Sequence, residues 1–398
     1  MSLANAFFVK NDYKDKINKE YVDNLKSKYN AEVIYDEFKN AKTLNNWVSD
    51  KTFKLIENMV DDDTIQNSNF TPVNALAIDM DWINKFQYQN NSFYVGYFGE
   101  NYNFYVGSLL EGYYKLKFNN NRMSAKAVKF GAVANKYDIV KTLGEDKIRK
   151  TVGEAYQKWL NEDESASYEG TNKDVNSFLD DYIKGISSNY KNISSSTDFS
   201  FYDDDNVKSF AKDLKTYNGT TLQYVGIMSK KSSLKDYIKS VDAKDINNII
   251  SNLKELELSS FEEGTITEVA ENLPLFKFEY KLNLKEDLNC LGIKDVFNPN
   301  KANLSRLTKE NGAYIDSINH KTNIEFSNDG IKAGAATEIS YGGDTSCPRF
   351  TYYYSVPVKK IDLTFDNPYL FIIRDKSTGE VWFTGTVYEP IEYTEIER

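Results

Sequence analysis

Few residues in this 398-residue chain have side chains suited to covalent or metal chemistry. His320 is the one histidine, and Cys290 and Cys347 are the only cysteines. A single imidazole excludes a paired-histidine metal centre and leaves one Ser/His or Cys/His arrangement to consider. His320 lies in "SINHKTN", a strand-like stretch, and alternation puts no Asp or Glu beside it on its own face. A hydrogen-bonded structural histidine is the plainer expectation. Two cysteines cannot build a disulfide framework or a thiolate metal site. Cys290, in "LKEDLNCLGI", is expected to be a packed thiol on a helix. The acidic runs "VDDDT" (60–64) and "FYDDDN" (201–206) could hold a cation loosely, although solvated turns are their ordinary use. No G-x-S-x-G, G-x-x-x-x-G-K-[ST] or H-E-x-x-H occurs, and the glycines of "YFGENYNFYVG" stand outside a strand-to-helix dinucleotide setting. The expectation is a protein without enzymatic activity, metal or cofactor.

Composition points the same way. Hydrophobic residues make up 40% and aromatics 14% of the chain, enough for a real core. The net charge is −10 with both signs interspersed, which disfavours nucleic acid or an anionic membrane as partner. No run of eighteen apolar residues is present to span a bilayer. "MSLANAFFVKNDY" lacks the charged region and cleavage pattern of a signal peptide and reads as a strand.

The elements that must position these residues follow from periodicity. Residues 1–88 read β-α-β-α-β. The strands are "SLANAFFVK", "AEVIYDEF" and "FTPVNALAIDMDW", the last a near-continuous apolar run expected to be buried on both faces. The helices are "DKINKEYVDNLKSKYN" and "TLNNWVSDKTFKLIENMV", the second with Leu44, Trp47, Val48, Leu55, Ile56 and Met59 on one side. Residues 89–198 are rich in Asn, Tyr, Ser and Gly, with short aromatic strands such as "NSFYVGYF" and "YYKLKF". They hold two strongly amphipathic helices, "EDKIRKTVGEAYQKWL" and "KDVNSFLDDYIKGI", each needing something to cover its apolar face. After residue 199 helices are expected only at "INNIISNLKELEL" and "LKEDLNCLGI". Strands follow, ending in the hairpin "YLFIIRD-KSTG-EVWFTGTVYEP" turned at Gly379. No internal repeat is visible. The class expected is α+β, a large mixed sheet with helices on its faces.

One strand is unusual. "GIKAGAATEISYGGDTSCPRF" (330–350) alternates at first, with Ile331, Ala333, Ala335, Thr337, Ile339 and Tyr341 on one side. Most of these are small, and the stretch runs into Gly-Gly-Asp-Thr-Ser, which reads as an exposed loop.

Several segments, in order, resemble the serpin family. "FDNPYLFIIRDKSTGEVWFTGTVYEP" (365–390) is similar to the serpin C-terminal signature, with Tyr369 where Phe is usual. "YIDSINHKTNIEFSNDGIKAGAAT" (314–337) resembles the strand with the shutter histidine followed by the reactive-loop hinge. "LKEDLNCLGIKDVFNPNKANLS", "NLPLFKFEY", "LNNWVSDKTFKLIENM" and "PVNALAIDMDW" match further serpin segments, covering residues 1–88 and about 205–390.

The resemblance implies a single serpin-like domain over residues 1–398, with a large central sheet, a second sheet and surrounding helices. Residues 89–198 are then an inserted α/β lobe and 330–357 the reactive-loop region. It implies a suicide inhibitor of serine proteases, with cysteine proteases as a second target class. The cleaved loop would enter the main sheet. Gly330, Ile331, Ala333, Gly334, Ala335, Ala336 and Thr337 are the implied hinge. Asp344–Thr345 is the first candidate scissile bond and Arg349 its rival. His320, its partner Asn74 and the breach tryptophan Trp82 are implied to steer insertion without bond chemistry. The family also implies a monomer, secreted to the extracellular space, whose partner is the target protease. The chain starts at what resembles the second strand of the main sheet, so the helices expected upstream would be absent. A non-inhibitory serpin-like binding or structural protein is the alternative expectation.

Overall fold

The computed structural model describes residues 2–394 except 87, 90–93, 99–100, 106–108, 111, 136–137, 163–173, 187–191, 195–198, 256, 263–265, 316–317, 332–349, 351 and 353–357. In chain order, the first elements are β1 (Ser2–Lys10), α1 (Lys19–Tyr29), β2 (Ala31–Asp36), α2 (Lys42–Lys51), α3 (Asp62–Gln66), β3 (Phe70–Ala77) and β4 (Met80–Asp81). Short strands β5 (Tyr88–Gln89), β6 (Tyr94–Phe98), β7 (Asn101–Tyr105) and β8 (Leu109–Leu110) precede the hairpin of β9 (Tyr114–Phe118) and β10 (Met123–Asn135). Then come α4 (Ile139–Leu143), α5 (Glu145–Glu162), α6 (Val175–Ile186), β11 (Asn192–Ser194), β12 (Phe199–Asp203), β13 (Val207–Asp213) and β14 (Leu222–Ser229). Helices α7 (Leu234–Ser240) and α8 (Ala243–Ser251) lead to β15 (Lys254–Glu255), β16 (Ile266–Pro274), β17 (Phe276–Asn283) and α9 (Lys285–Cys290). The chain finishes with β18 (Asn319–Phe326), β19 (Gly330–Ile331), β20 (Val358–Asp362), β21 (Tyr369–Asp375) and β22 (Val381–Val387). Helices and several sheets, parallel and antiparallel, make this an α+β protein.

The chain forms two compact units. One comprises residues 1–81 and 276–333, the other 82–275 and 334–398. In the first unit β1 lies between β2, parallel to it, and β3, antiparallel. A central strand is buried on both faces, which explains the unbroken apolar run Ala6–Val9. Ala6 and Phe8 pack with Leu44 and Val48 of α2 and with Val73, while Phe7 and Val9 face Tyr21, Val22 and Leu25 of α1. A second sheet in this unit has the order β17-β18-β19-β4.

In the second unit, β12, β13, β14, β21 and β22 form most of a six-stranded antiparallel sheet edged by β15. Its core is aromatic. Phe199 stacks on Phe130 with 4.2 Å between centroids, and Phe210 meets Phe365 edge-on at 5.2 Å. Trp82 is 1% exposed and packs edge-on against Phe86 and Tyr224 at 5.6 and 6.1 Å. Lys212, fully buried, lies among the same rings, its Nζ 5.0 Å from Phe86, 5.6 Å from Phe130 and 5.9 Å from Trp82. A cation seated over ring faces gains quadrupole attraction where water cannot reach it. A further sheet runs β11-β10-β16-β20, with β9 also on β10. The hairpin β21–β22 turns where expected, Gly379 adopting φ 77°.

Several expectations need correction. Helix α2 stops at Lys51, so Leu55, Ile56 and Met59 are not on it. The Thr52 hydroxyl donates to the Val48 carbonyl and accepts from the Ile56 amide, and Phe53 and Lys54 take φ of 54° and 62°. Left-handed residues end a helix that hydrophobic spacing alone would extend. Ile56 and Met59 still reach the same core from the following loop. Strand β3 is not buried on both faces, since Val73, Ala75 and Ala77 are covered while Pro72 and Asn74 are exposed. Cys290 is exposed rather than packed, the last residue of a six-residue helix with no buried side chain. Helix α7 was not expected; Ser233 caps it by accepting from the Asp236 amide. The acidic runs act as turns and caps. Asp61 caps α3, Asp62 accepts from the Ala41 amide, and Asp204 accepts from the amides of Asn206 and Val207. Among the described residues no group of three or more metal-ligating side chains occurs, and no helix is long and apolar enough to cross a membrane.

The segment after β1 is fastened to residues 304–310. Glu310 pairs with the Lys16 ammonium and accepts from the Tyr13 hydroxyl at 2.7 Å, and Thr308 donates to that hydroxyl at 3.3 Å. Hydrogen bonding from Lys16 first, then Tyr13, holds Glu310 below the ordinary carboxylate range. A folded pKa lowered this way adds stability above the unfolded carboxylate value of about 4.3, and that stability is lost as pH falls through the folded value. Glu310→Gln is therefore expected to melt below the wild type at pH 7. The gap in Tm should close as pH falls through and below the carboxylate range; a gap independent of pH would contradict the assignment.

Candidate strand-insertion site

The segment expected as the hinge begins as a short strand caught between two others. In β19, Ile331 pairs with Phe326 of β18 on one side and with Met80 of β4 on the other, and Gly330 pairs with Asp81. Ser327 closes the preceding turn, its amide and hydroxyl both donating to the Gly330 carbonyl at 3.0 Å. The Gly330 amide donates back to the Ser327 hydroxyl at 3.3 Å. Glycine is required here by proximity. A Cβ on Gly330 would lie 2.3 Å from the Met80 carbonyl oxygen and 2.7 Å from the Asp81 Cα, both backbone atoms that cannot swing aside. Ile331 is 3% exposed, a burial that contributes about 1.5–3 kcal/mol.

Below this hinge, two strand edges carry no partner among the described residues. β18 has β17 on one side from Asn319 to Phe326, but on its other side pairs only at Phe326. β3 pairs with β1 on one side and with no strand on the other. Exposed backbone edges of this kind are templates for another strand. On one face of β18, Asn323 donates to the Leu55 carbonyl at 2.8 Å and Lys321 to the Glu57 carbonyl at 2.5 Å. Lys321 also pairs with Glu279 at 2.6 Å. The loop after α2 therefore straps β18, while α2 itself covers β1 and β3 on that side.

On the opposite face, His320, Asn74, Asn5, Tyr21, Leu25 and Leu284 help line a cavity of about 590 Å³. The Asn74 amide donates to the Asn5 side-chain oxygen at 2.8 Å across the β1–β3 pair. The sequence-derived pair Asn74 and His320 therefore opens onto one cavity. Trp82, the residue after Asp81, is buried in the aromatic core of the second unit and bridges Leu214. Of the expected hinge, Gly330 and Ile331 are placed. Ala333, Gly334, Ala335, Ala336 and Thr337, with Asp344, Thr345 and Arg349, lie outside the described residues. Sequence reasoning missed Met80, Asp81 and Ser327; the turn residues of "SNDG" before Ile331 were the available signal for Ser327.

Replacing Gly330 by alanine tests this packing. Because backbone must move to admit the methyl group, Gly330→Ala should cost about 1–3 kcal/mol. It would be read as a lower denaturant midpoint with faster hydrogen exchange at Ile331, and unchanged values would contradict the close approach.

A model of the serpin (serine protease inhibitor) family matches residues 1–128 and 176–390. The chain is 33% identical to serpin B10 of Rattus norvegicus over 123 residues, 31% of this chain and 28% of the relative. It is 32% identical to leukocyte elastase inhibitor A of Mus musculus over 174 residues, 44% of this chain and 42% of the relative. Those stretches span well under half of either curated relative. Among solved structures it is similar to native tengpin, a thermophilic serpin, at TM-score 0.57 and 20% identity, covering 98% of this chain and 73% of that one. Protease nexin-1 with heparin matches at TM-score 0.56 and 19% identity, with 98% and 76% covered. With the family model matched over most of its length, and the fold in agreement, the chain belongs to the serpin family.

Proposed function

We propose that this chain is a monomeric, extracellular suicide inhibitor of serine endopeptidases, with cysteine endopeptidases as a second target class. Cleavage of the segment after Ile331 would free it to enter the main sheet and carry the bound protease with it. The observation that supports this most is the start of the expected hinge, already paired on both sides above two strand edges that carry no partner among the described residues. Names of relatives agree with it, since two are inhibitors of leukocyte elastase and of plasminogen activator.

The observed pairs support one register for a continuation of β19. Each residue beyond Ile331 would pair one residue further back along β18 and along the chain from Met80 toward β3. Counted this way, Thr337 falls opposite both His320 and Asn74. The two polar residues on the cavity face then meet a hydroxyl side chain rather than a bulky or charged one. Ala333 and Ala335 precede it on the same side, small enough to pass between the strands.

Entry would add ladder bonds on both edges, each worth about 0.5–1.5 kcal/mol net. Fixing the backbone costs about 1–2 kcal/mol per residue, so these contributions nearly cancel. Ile331 is already buried and adds nothing further on entry. Burial of Ile339 and Tyr341, at about 2 kcal/mol each, is left to tip the balance. The strap of Asn323 and Lys321 to the loop after α2 would have to yield, a barrier that delays entry until the loop is cut.

The test is incubation with a panel of serine and cysteine proteases followed by denaturing electrophoresis. At least one protease should give a complex that survives SDS, in a ratio near one to one. Ala335→Arg, placing a charge on the inward side, should be cleaved at the same bond and release active protease. Cleavage of the wild type by every protease tried, with no stable complex, would overturn the inhibitor reading.

A further inference from the structure

Phe350, directly after Arg349 in the sequence, is 5% exposed. Its ring sits in an aromatic socket built by the helical pair α5–α6. It meets Tyr156 edge-on at 5.2 Å and 78°, Phe178 edge-on at 5.5 Å and 85°, and Trp159 at 5.8 Å and 56°. Tyr156 and Phe178 stack at 3.7 Å, joining the two helices beneath it. Arg149 on α5 bonds Asp180 on α6 at 2.6 Å and Glu145 at 2.8 Å, holding the pair together at its rim. Ile266, at the start of β16, belongs to the same buried cluster. The amphipathic faces that called for a cover in the sequence are thus covered in part by a residue from the reactive-loop region.

We propose that the α5–α6 lobe is a socket for Phe350 that closes the Arg349–Phe350 bond to proteases and leaves bonds further upstream as the bait. A protease takes its substrate as an extended strand, with residues on both sides of the cut bond lying in its cleft. The residue just after Arg349 cannot lie there while its side chain is enclosed by three rings. Cleavage then waits on local opening and follows the open fraction. Trypsin-like enzymes, which an exposed Arg349 would suit, are thereby excluded at this bond. Asp344–Thr345, which ends five residues before Phe350 in the sequence, lies outside the described residues and is the bond this proposal leaves as bait. The proposal rests on the inhibitor reading only in naming a bait; the shielding itself is independent of inhibition.

The experiment treats the full chain with trypsin and follows by mass spectrometry the fragment beginning at Phe350. Phe350→Ala, Phe178→Ala and Phe350→Leu are compared with the wild type and with a synthetic peptide of sequence 344–355. The fragment should appear at least tenfold more slowly from the wild type and Phe350→Leu than from Phe350→Ala, Phe178→Ala or the peptide. Phe350→Ala leaves both helices intact and covers the case in which Phe178→Ala fails to fold, as judged by its thermal melt. Equal rates for wild type and peptide, or for wild type and folded socket variants, would overturn the proposal. If the bond is shielded yet no protease gives an SDS-stable complex, the socket stands and the inhibitor reading falls. If trypsin forms such a complex through Arg349, the socket falls and the inhibitor reading stands.

Discussion

The structure turns on two sheets of the first unit that each leave one strand edge open among the described residues. β3 and β18 each satisfy one edge and, among the described residues, leave the other without a strand, while the two-residue strand β19 sits between β18 and β4 at one end. Unpaired backbone groups favour the arrival of another strand, and only sterics, a strap or a missing cut can delay it. Close contact between Gly330 and the Met80 carbonyl would, in the proposed mechanism, set where that strand starts, and pairing on both sides would set its register. In the proposed mechanism the small residues after Ile331 are the consequence, since a strand that must thread between two others cannot carry bulk on its leading part.

The two faces of these strands are treated differently. One is covered by α2 and crossed by the loop that holds Asn323 and Lys321. The other opens at Asn74 and His320 onto a cavity. Covering fixes strand positions, whereas in the proposed mechanism the open face leaves room for a strand to pass. His320, which lines that cavity, would then stand beside the path of the strand.

Much of this was legible in the residues. Alternation located β2 and β18, strand-like runs and turn residues located β1, β21 and β22, and the 3.6-residue spacing located α1, α5 and α6. The glycine of the final hairpin could be seen as a turn. What escaped sequence reading depended on contacts distant in the chain. The end of α2 is decided by the Thr52 hydroxyl and two left-handed residues, not by hydrophobic spacing. The exposure of Asn74 and Pro72 depends on what covers β3, which its own sequence does not state. Lys212, which sequence reading did not single out, is enclosed by Trp82, Phe86 and Phe130. The need for glycine at position 330 comes from Met80, two hundred and fifty residues earlier. The cover for α5 and α6 comes from Phe350, remote in sequence.

The central claim is that the open edge of β18 receives a strand once the segment between Ile339 and Arg349 is cut. Hydrogen exchange read residue by residue, before and after nicking, tests it most directly. The β18 amides between Asn319 and Glu325 that do not bond β17 should exchange rapidly in the intact protein and become protected by several orders of magnitude after the cut. Exchange at those amides that is the same before and after cleavage would contradict the account.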